Sequence, residues 1–143
     1  IRERLQLETV FRMVRLLGNP LMIQGPSNSM PIAEGERILV VSAIAKPTQF
    51  TDALLGSGFN VVDTMSFQDH HRFTAADIRR IAKRNQSKAI DWVMTTEKDA
   101  VRFIPHAPLP FSLAAVPLIV QIQPANDFRS WLLGRLHHSG IQK

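Results

Sequence analysis

The densest chemistry in this chain is the run Phe67-Gln68-Asp69-His70-His71-Arg72-Phe73-Thr74. Asp69 sets a carboxylate beside the imidazole of His70. Such a carboxylate can orient the ring and hold one tautomer. A ring so held can accept or relay a proton from a hydroxyl nucleophile. The same residues also have a structural reading, in which Asp69 caps a turn and one histidine fills space. Asp-His-His raises a metal site too. It offers only three potential ligands, and adjacent residues rarely aim at one ion, so no metal is expected here.

A second polar cluster is Thr95-Thr96-Glu97-Lys98-Asp99. If it opens a helix, its backbone N–H groups favour an anion and Lys98 adds a point charge. Equally, Thr96 and Asp99 have capping-box spacing, and Glu97 with Lys98 suits a solvated pair. Lys46, beside Pro47, carries the same two readings. Asp69 and His70 are therefore the candidate catalytic pair. His71, Thr96, Lys98 and Lys46 are candidate substrate- or phosphate-binding residues. His106, His137 and His138 read as surface residues, and Trp92 and Trp131 as core.

The elements around these clusters follow from periodicity. Residues 2–17 read as an amphipathic helix, with Leu7, Val10, Phe11, Val14 and Leu17 at helical spacing and Gly18-Asn19-Pro20 as its stop. Residues 1–23 thus form that helix and its following segment, and 24–36, with two prolines and two glycines, form a linker or loop. Residues 37–137 read as an α/β domain. Arg37 to Ala43 reads as a strand in which Ile38, Leu39, Val40 and Val41 run continuously apolar, as a buried parallel strand should. Pro47 opens a helix that Gly56 or Gly58 ends. Phe59 to Met65 is a second strand. Thr74 and Asp77 begin a helix burying Ile78, Ile81 and Ala82. Asp91 to Thr95 is a third strand, followed by a short helix to about Phe103.

Residues 105–117 hold four prolines and read as irregular. Leu118 to Ile122 is a fourth strand. Asn126 caps a last helix with Phe128, Trp131, Leu132 and Leu136 inward, and the tail, including 138–143, frays. Four strand–helix alternations predict a Rossmann-like, mostly parallel sheet with helices on both faces. Ligands of such sheets bind beyond the carboxyl ends of the strands. The loops at Ser42–Pro47, Gln68–Phe73, Thr95–Asp99 and Gln123–Asp127 would all leave strands at that edge.

Composition narrows the partners. The chain has 143 residues, a net charge of +5, no cysteine and no tyrosine. One domain with a substantial core fits that length. Disulfides and thiolate metal sites are excluded, and no apolar run approaches the roughly 20 residues of a membrane span. The basic balance favours anionic partners. Charge spread along the chain, with only 7% aromatic residues, argues for small anions and headgroups and against nucleic acid. Starting at Ile1, the chain is expected to be part of something longer.

Four segments together resemble a known family: Ala43-Ile44-Ala45-Lys46-Pro47-x-x-Phe50, Gly58-Phe59-x-Val61, Asp69-His70-His71-x-Phe73-Thr74-x-x-Asp77, and Thr95-Thr96-Glu97-Lys98-Asp99-Ala100-Val101-Arg102. Their order and spacing over about residues 37–125 are similar to the C-terminal half of tetraacyldisaccharide 4'-kinases. The resemblance implies a P-loop NTPase-like fold and transfer of a phosphoryl group from ATP, with Mg²⁺, to the 4'-hydroxyl of a disaccharide lipid A precursor. It implies work at the cytoplasmic face of the bacterial inner membrane, on the membrane surface. It also maps the family's hydroxyl-side histidine onto His70, beside Asp69, paired with an aspartate of the N-terminal half.

The chain departs from that family in places. No Gly-x-x-x-x-Gly-Lys-[Ser/Thr] occurs in it, nor a recognisable acidic Mg²⁺-binding segment. ATP and Mg²⁺ would be held through a missing N-terminal portion, and the chain alone is expected to be inactive. Ala43 stands where the family often has glycine, which argues against phosphate contact by that loop. The competing expectations are a metal-dependent Asp-His-His phosphoesterase and a non-enzymatic Rossmann-like binding module.

Overall fold

The computed structural model describes residues 10–26 and 31–139. The strands are β1 (Arg12–Leu17), β2 (Leu21–Gln24), β3 (Arg37–Ser42), β4 (Asn60–Ser66), β5 (Trp92–Thr96), β6 (Leu113–Val116) and β7 (Leu118–Gln123). The helices are α1 (Pro47–Gly56), α2 (Ala75–Ser87), α3 (Glu97–Phe103) and α4 (Ala125–Ser139). They fall into two units, residues 17–118 and residues 1–16 with 119–143.

The larger unit is a sheet in the order β2-β6-β5-β3-β4. β4, β3, β5 and β6 run parallel, and β2 closes one edge antiparallel to β6. Side chains alternate along a strand, so each parallel strand feeds two cores. Leu39, Val41, Val93 and Leu113 join Ile78 and Ile81 of α2 and Phe103 of α3 on one face. Ile38, Val40, Trp92, Met94, Ala114 and Val116 join Phe50 and Leu54 of α1 on the other. Burial on both faces is why these strands read as unbroken apolar runs. The expected Rossmann-like sheet with helices on both faces is therefore present.

Local signals explain the boundaries. Pro47 sits at the start of α1, and Gly58, at φ +87, reverses the chain after it. Only a residue without Cβ takes that conformation cheaply. Thr74 and Asp77 form a full capping box at α2, and Thr96 caps α3 by accepting from the Asp99 N–H. Gly25 crosses the Trp92 ring so closely that a Cβ there would lie 2.8 Å from its edge.

Three expectations need correction. The helix expected over 2–17 gives way, where described, to β1; residues 2–9 lie outside the described residues. Val14 and Leu17 are the half-buried positions of that strand, and their spacing of three imitates a helical face. The segment 105–117 contains the buried strand β6 (Leu113–Val116), which pairs with β5 and β2. Prolines at 110 and 117 bracket it and hide it. The side chain of Gln24 holds the preceding irregular stretch, donating to the carbonyls of Leu109 (2.6 Å) and Phe111 and accepting from the Leu109 N–H.

The third correction concerns β7, expected as the fourth parallel strand. It pairs instead with β1 in a separate two-stranded sheet. The loop Gln123–Asp127 consequently leaves that small sheet and not the parallel one. α4 starts at Ala125, one residue before the expected cap Asn126, and continues through Ser139. Trp131 and Leu132 are each 39% exposed and Leu136 58%, so these residues do not form the expected inward face. Within this unit Phe11 packs edge-on against Phe128 and also meets Trp131. Residues 27–30 and 140–143 lie outside the described residues.

Phe103 is fully buried and stacks on Phe73 at 4.1 Å. Phe103→Ala should cost about 3–5 kcal/mol of stability, read from urea unfolding. A loss below about 1 kcal/mol would mean that this aromatic layer does not hold α3 to the sheet.

Candidate functional site

The chain leaves β3 toward one face of the sheet, into α1, and leaves β4 and β5 toward the other, into α2 and α3. The tip of β3 is therefore a switch point, where the departing loops part and open a crevice. Two backbone bonds fasten the β4 loop to that tip: Phe67 N–H to the Ser42 carbonyl at 2.8 Å, and His70 N–H to the Ala43 carbonyl at 3.2 Å.

Asp99 ties the third loop to the same place. Its side chain has no solvent exposure. One oxygen accepts from the Ala43 N–H at 2.9 Å and from the Thr96 hydroxyl at 3.1 Å. The other accepts from Arg102 at 2.8 Å. Three donors make a buried carboxylate tolerable. The Arg102 guanidinium then reaches the Nδ1 of His70 at 3.4 Å. An arginine only donates, so this Nδ1 presents its lone pair. The His70 Nε2 lies 3.6 Å from the Asp69 carboxylate, close enough for charge but beyond a hydrogen bond.

The two histidines face opposite ways. His70 has φ +62, unusual for a residue with a Cβ. That turn carries its side chain outward, where it is 68% exposed. His71 goes inward. Its ring stacks on Phe67 at 4.9 Å and meets Phe73 edge-on. Its Nε2 donates to Asp77 at 2.9 Å. Burial pushes the Asp77 pKa up. The hydrogen bonds from His71 and from the Thr74 N–H and hydroxyl outweigh it and hold the carboxyl at about 2, below the ordinary 3.8. His71 is thus fastened to the start of α2.

The other candidates divide. Thr96 is buried, and its hydroxyl is committed to Asp99 in both directions. Lys98 is exposed and lines a cavity of about 160 Å³ with Ile44, Thr96, Glu97 and Leu118. Lys46 is exposed at the N-cap of α1 and makes no side-chain cap bond. The structure thus brings Asp69, His70 and Arg102 together, and keeps His71 and Thr96 occupied internally. His106 is half-buried and bonded to the Phe73 carbonyl at 2.7 Å, a tie to the loop that its sequence position did not reveal. Sequence reasoning took Asp99 for a helix cap and assigned Arg102 no role. Their i,i+3 spacing was the available signal.

Among the described residues no group of three His, Asp or Glu could hold a metal ion. Asp69 and His71 point to different partners, so Asp-His-His is not a ligand set. One buried hydroxyl, Thr95 Oγ1, lacks a protein partner at this edge. A single hydroxyl is no binding set for Mg²⁺.

Comparison with known proteins gives a consistent result. The family model described as tetraacyldisaccharide-1-P 4'-kinase matches residues 4–137. A tetraacyldisaccharide 4'-kinase of Rhodopseudomonas palustris strain TIE-1 is 34% identical over 80% of this chain and 34% of its own length. One from Anaeromyxobacter dehalogenans strain 2CP-1 is 37% identical over 55% of this chain and 21% of its own. The chain therefore spans a minor part of these relatives. The structure of LpxK from Aquifex aeolicus in complex with ATP has a TM-score of 0.53, 18% identity, and coverage of 92% of this chain and 39% of that one. At that identity the likeness speaks for the fold.

Two measurements follow from this geometry. The depressed Asp77 pKa means that its contribution to stability is full above pH 3.8 and is lost as pH falls through about 2. Asp77→Asn should therefore lower stability at pH 7 and flatten the acid limb of a stability-against-pH curve by on the order of 2 kcal/mol. An unchanged acid limb would contradict the His71–Asp77–Thr74 arrangement. Separately, Arg102→Ala should destabilise by about 3–5 kcal/mol in urea, because it strands the buried Asp99 charge.

Proposed function

Since the chain belongs to the tetraacyldisaccharide-1-P 4'-kinase family, we propose that it is the part of a lipid A 4'-kinase that presents His70 to the acceptor hydroxyl. The parent enzyme transfers the γ-phosphoryl group of ATP to the 4'-hydroxyl of a tetraacyldisaccharide 1-phosphate. The naming of the relatives and the ATP complex of the structural neighbour support this reading. So does the observation that carries it: an exposed imidazole on a left-handed residue, set between Asp69 and Arg102 at a switch point of the sheet. Backbone strain of this kind collects at functional sites.

The chain's own residues have definite parts in this proposal. The Nδ1 of His70 presents a lone pair, and its 3.4 Å contact with Arg102 is long enough for an incoming hydroxyl to take the donor's place. The proton of that hydroxyl passes to Nδ1 as its oxygen bonds to phosphorus and the bond from phosphorus to the ADP oxygen breaks. Asp69, beside Nε2, supports the imidazolium that forms. Arg102, released, offers its charge to the phosphoryl oxygens. Mg²⁺, when bound, neutralises charge on the transferred group. The described residues here form neither its ligand set nor a phosphate cradle, and those parts are assigned to other segments of the kinase. Lys98 and Lys46, on neighbouring loops, are the cations proposed to meet phosphate or sugar. Work at the cytoplasmic face of the bacterial inner membrane, on the membrane surface, is part of the same proposal. The phosphoesterase reading loses its ligand set once His71 faces Asp77.

In the full-length kinase, His70→Ala should lower kcat by about 10²–10⁴-fold while leaving the KM for ATP nearly unchanged. Full kcat in that variant would sink the assignment. The 143-residue chain alone should transfer no phosphate from ATP, and turnover by the purified chain would refute the division of labour.

A further inference from the structure

One charged group at the carboxyl edge of the sheet has no part in the transfer proposed above. Asp99 is fully buried, so it meets no substrate itself. Its contacts nevertheless converge on His70 from two directions, one through the backbone and one through a side chain.

The backbone route runs through Ala43. The Ala43 N–H donates to one Asp99 oxygen at 2.9 Å. The carbonyl of the same residue accepts from the His70 N–H at 3.2 Å. The carboxylate therefore fixes the residue to which the left-handed turn at His70 is bonded. The side-chain route runs through Arg102. Its Nη1 donates to the other Asp99 oxygen at 2.8 Å, and its Nη2 lies 3.4 Å from the His70 Nδ1. A guanidinium is a rigid planar fork. Holding one prong at Asp99 sets where the other stands beside the ring.

Capping of α3 does not account for this carboxylate. The cap bond runs from the Asp99 backbone N–H to the Thr96 hydroxyl. At α2 the same Thr-x-x-Asp spacing closes a capping box, with the Asp77 carboxylate accepting from the Thr74 N–H. At α3 the carboxylate accepts instead from Ala43, 56 residues earlier. Burying a charge is costly, and a helix cap alone does not require it.

We propose that Asp99 is a positioning residue for the phosphoryl transfer. It sets the backbone of His70 through Ala43 and the guanidinium beside its ring through Arg102, and so holds the Nδ1 lone pair where the acceptor hydroxyl enters. The inference rests on the part given to His70 above.

The test is a double-mutant cycle in the full-length kinase, with kcat and the KM for ATP measured for Asp99→Asn, His70→Ala and the pair. Asparagine keeps the size of the side chain and removes its charge. Because slight misplacement of a reacting group is costly, Asp99→Asn should lower kcat about 10- to 100-fold and leave the KM for ATP within about two-fold. With His70 gone nothing remains to be positioned, so adding Asp99→Asn to His70→Ala should lower kcat no further. Thermal unfolding checks the fold of each variant. Thr96→Val, which removes one donor to the carboxylate and keeps the side-chain shape, goes through the same cycle and carries the test if Asp99→Asn does not fold. Its kcat should fall in the presence of His70 and not in its absence. Equal losses of kcat with and without His70, a change confined to the KM for ATP, or no loss at all overturns the role of Asp99. A His70→Ala kinase with full kcat overturns instead the reading of His70 on which that role rests.

Discussion

Asp99 carries a fully buried carboxylate, and the carboxyl edge of the larger sheet depends on how its charge is satisfied. Its three donors come from separate places: Ala43 after β3, Thr96 at the end of β5, and Arg102 in α3. Each donor lowers the cost of burying the charge, and in return the charge holds each donor at a fixed position. The backbone of the β3 loop, the first turn of α3 and the guanidinium beside His70 are therefore set by one group. Because Ala43 and Ser42 also accept bonds from the His70 and Phe67 N–H groups, the β4 loop inherits its position from the same network.

Adjacent histidines show what that network achieves. His71 is held by a carboxylate and two aromatic rings, so it works as a fastening between the loop and α2. His70, one residue earlier, bends through a left-handed conformation and stands in solvent. Such a conformation costs on the order of 1–3 kcal/mol. It persists because its own N–H is bonded to the Ala43 carbonyl and the next residue, His71, is bonded to Asp77. An exposed side chain on an anchored, strained residue keeps its aim without a packed surround. That is the physical basis for placing the proposed hydroxyl contact at His70 and not at His71.

Family membership rests on the chain's own match over residues 4–137, and the fold persists in a neighbour at 18% identity. The persistence has a simple cause. Parallel strands buried on both faces require only continuous runs of apolar residues, whereas the loops at their carboxyl ends can change independently. Cationic residues on the far stripe of α2 belong to neither constraint. They flank the edge strand β4, where Arg84 and Lys88 share Asp63 and leave Arg80 and Lys83 without a carboxylate partner among the described residues.

Periodicity alone located β3, α1, β4, α2, β5 and α3, because each has an uninterrupted pattern and a local stop or cap, as Pro47, Gly58, Thr74 and Thr96 show. It also singled out Asp69 and His70, whose chemistry is visible in their types. It misread Arg12–Leu17, where inward positions three apart suit a helix as well as an irregular strand. It missed Leu113–Val116, since four residues between prolines carry too little pattern, and it set β7 in the wrong sheet because strand pairing is not encoded locally. Which histidine faces solvent, and that Asp99 and Arg102 hold the site, were decided only by tertiary structure. Those facts depend on hydrogen bonds between residues as far apart as Ala43 and Asp99. A sequence shows the donors and the acceptor, but only the packed sheet brings them to one carboxylate.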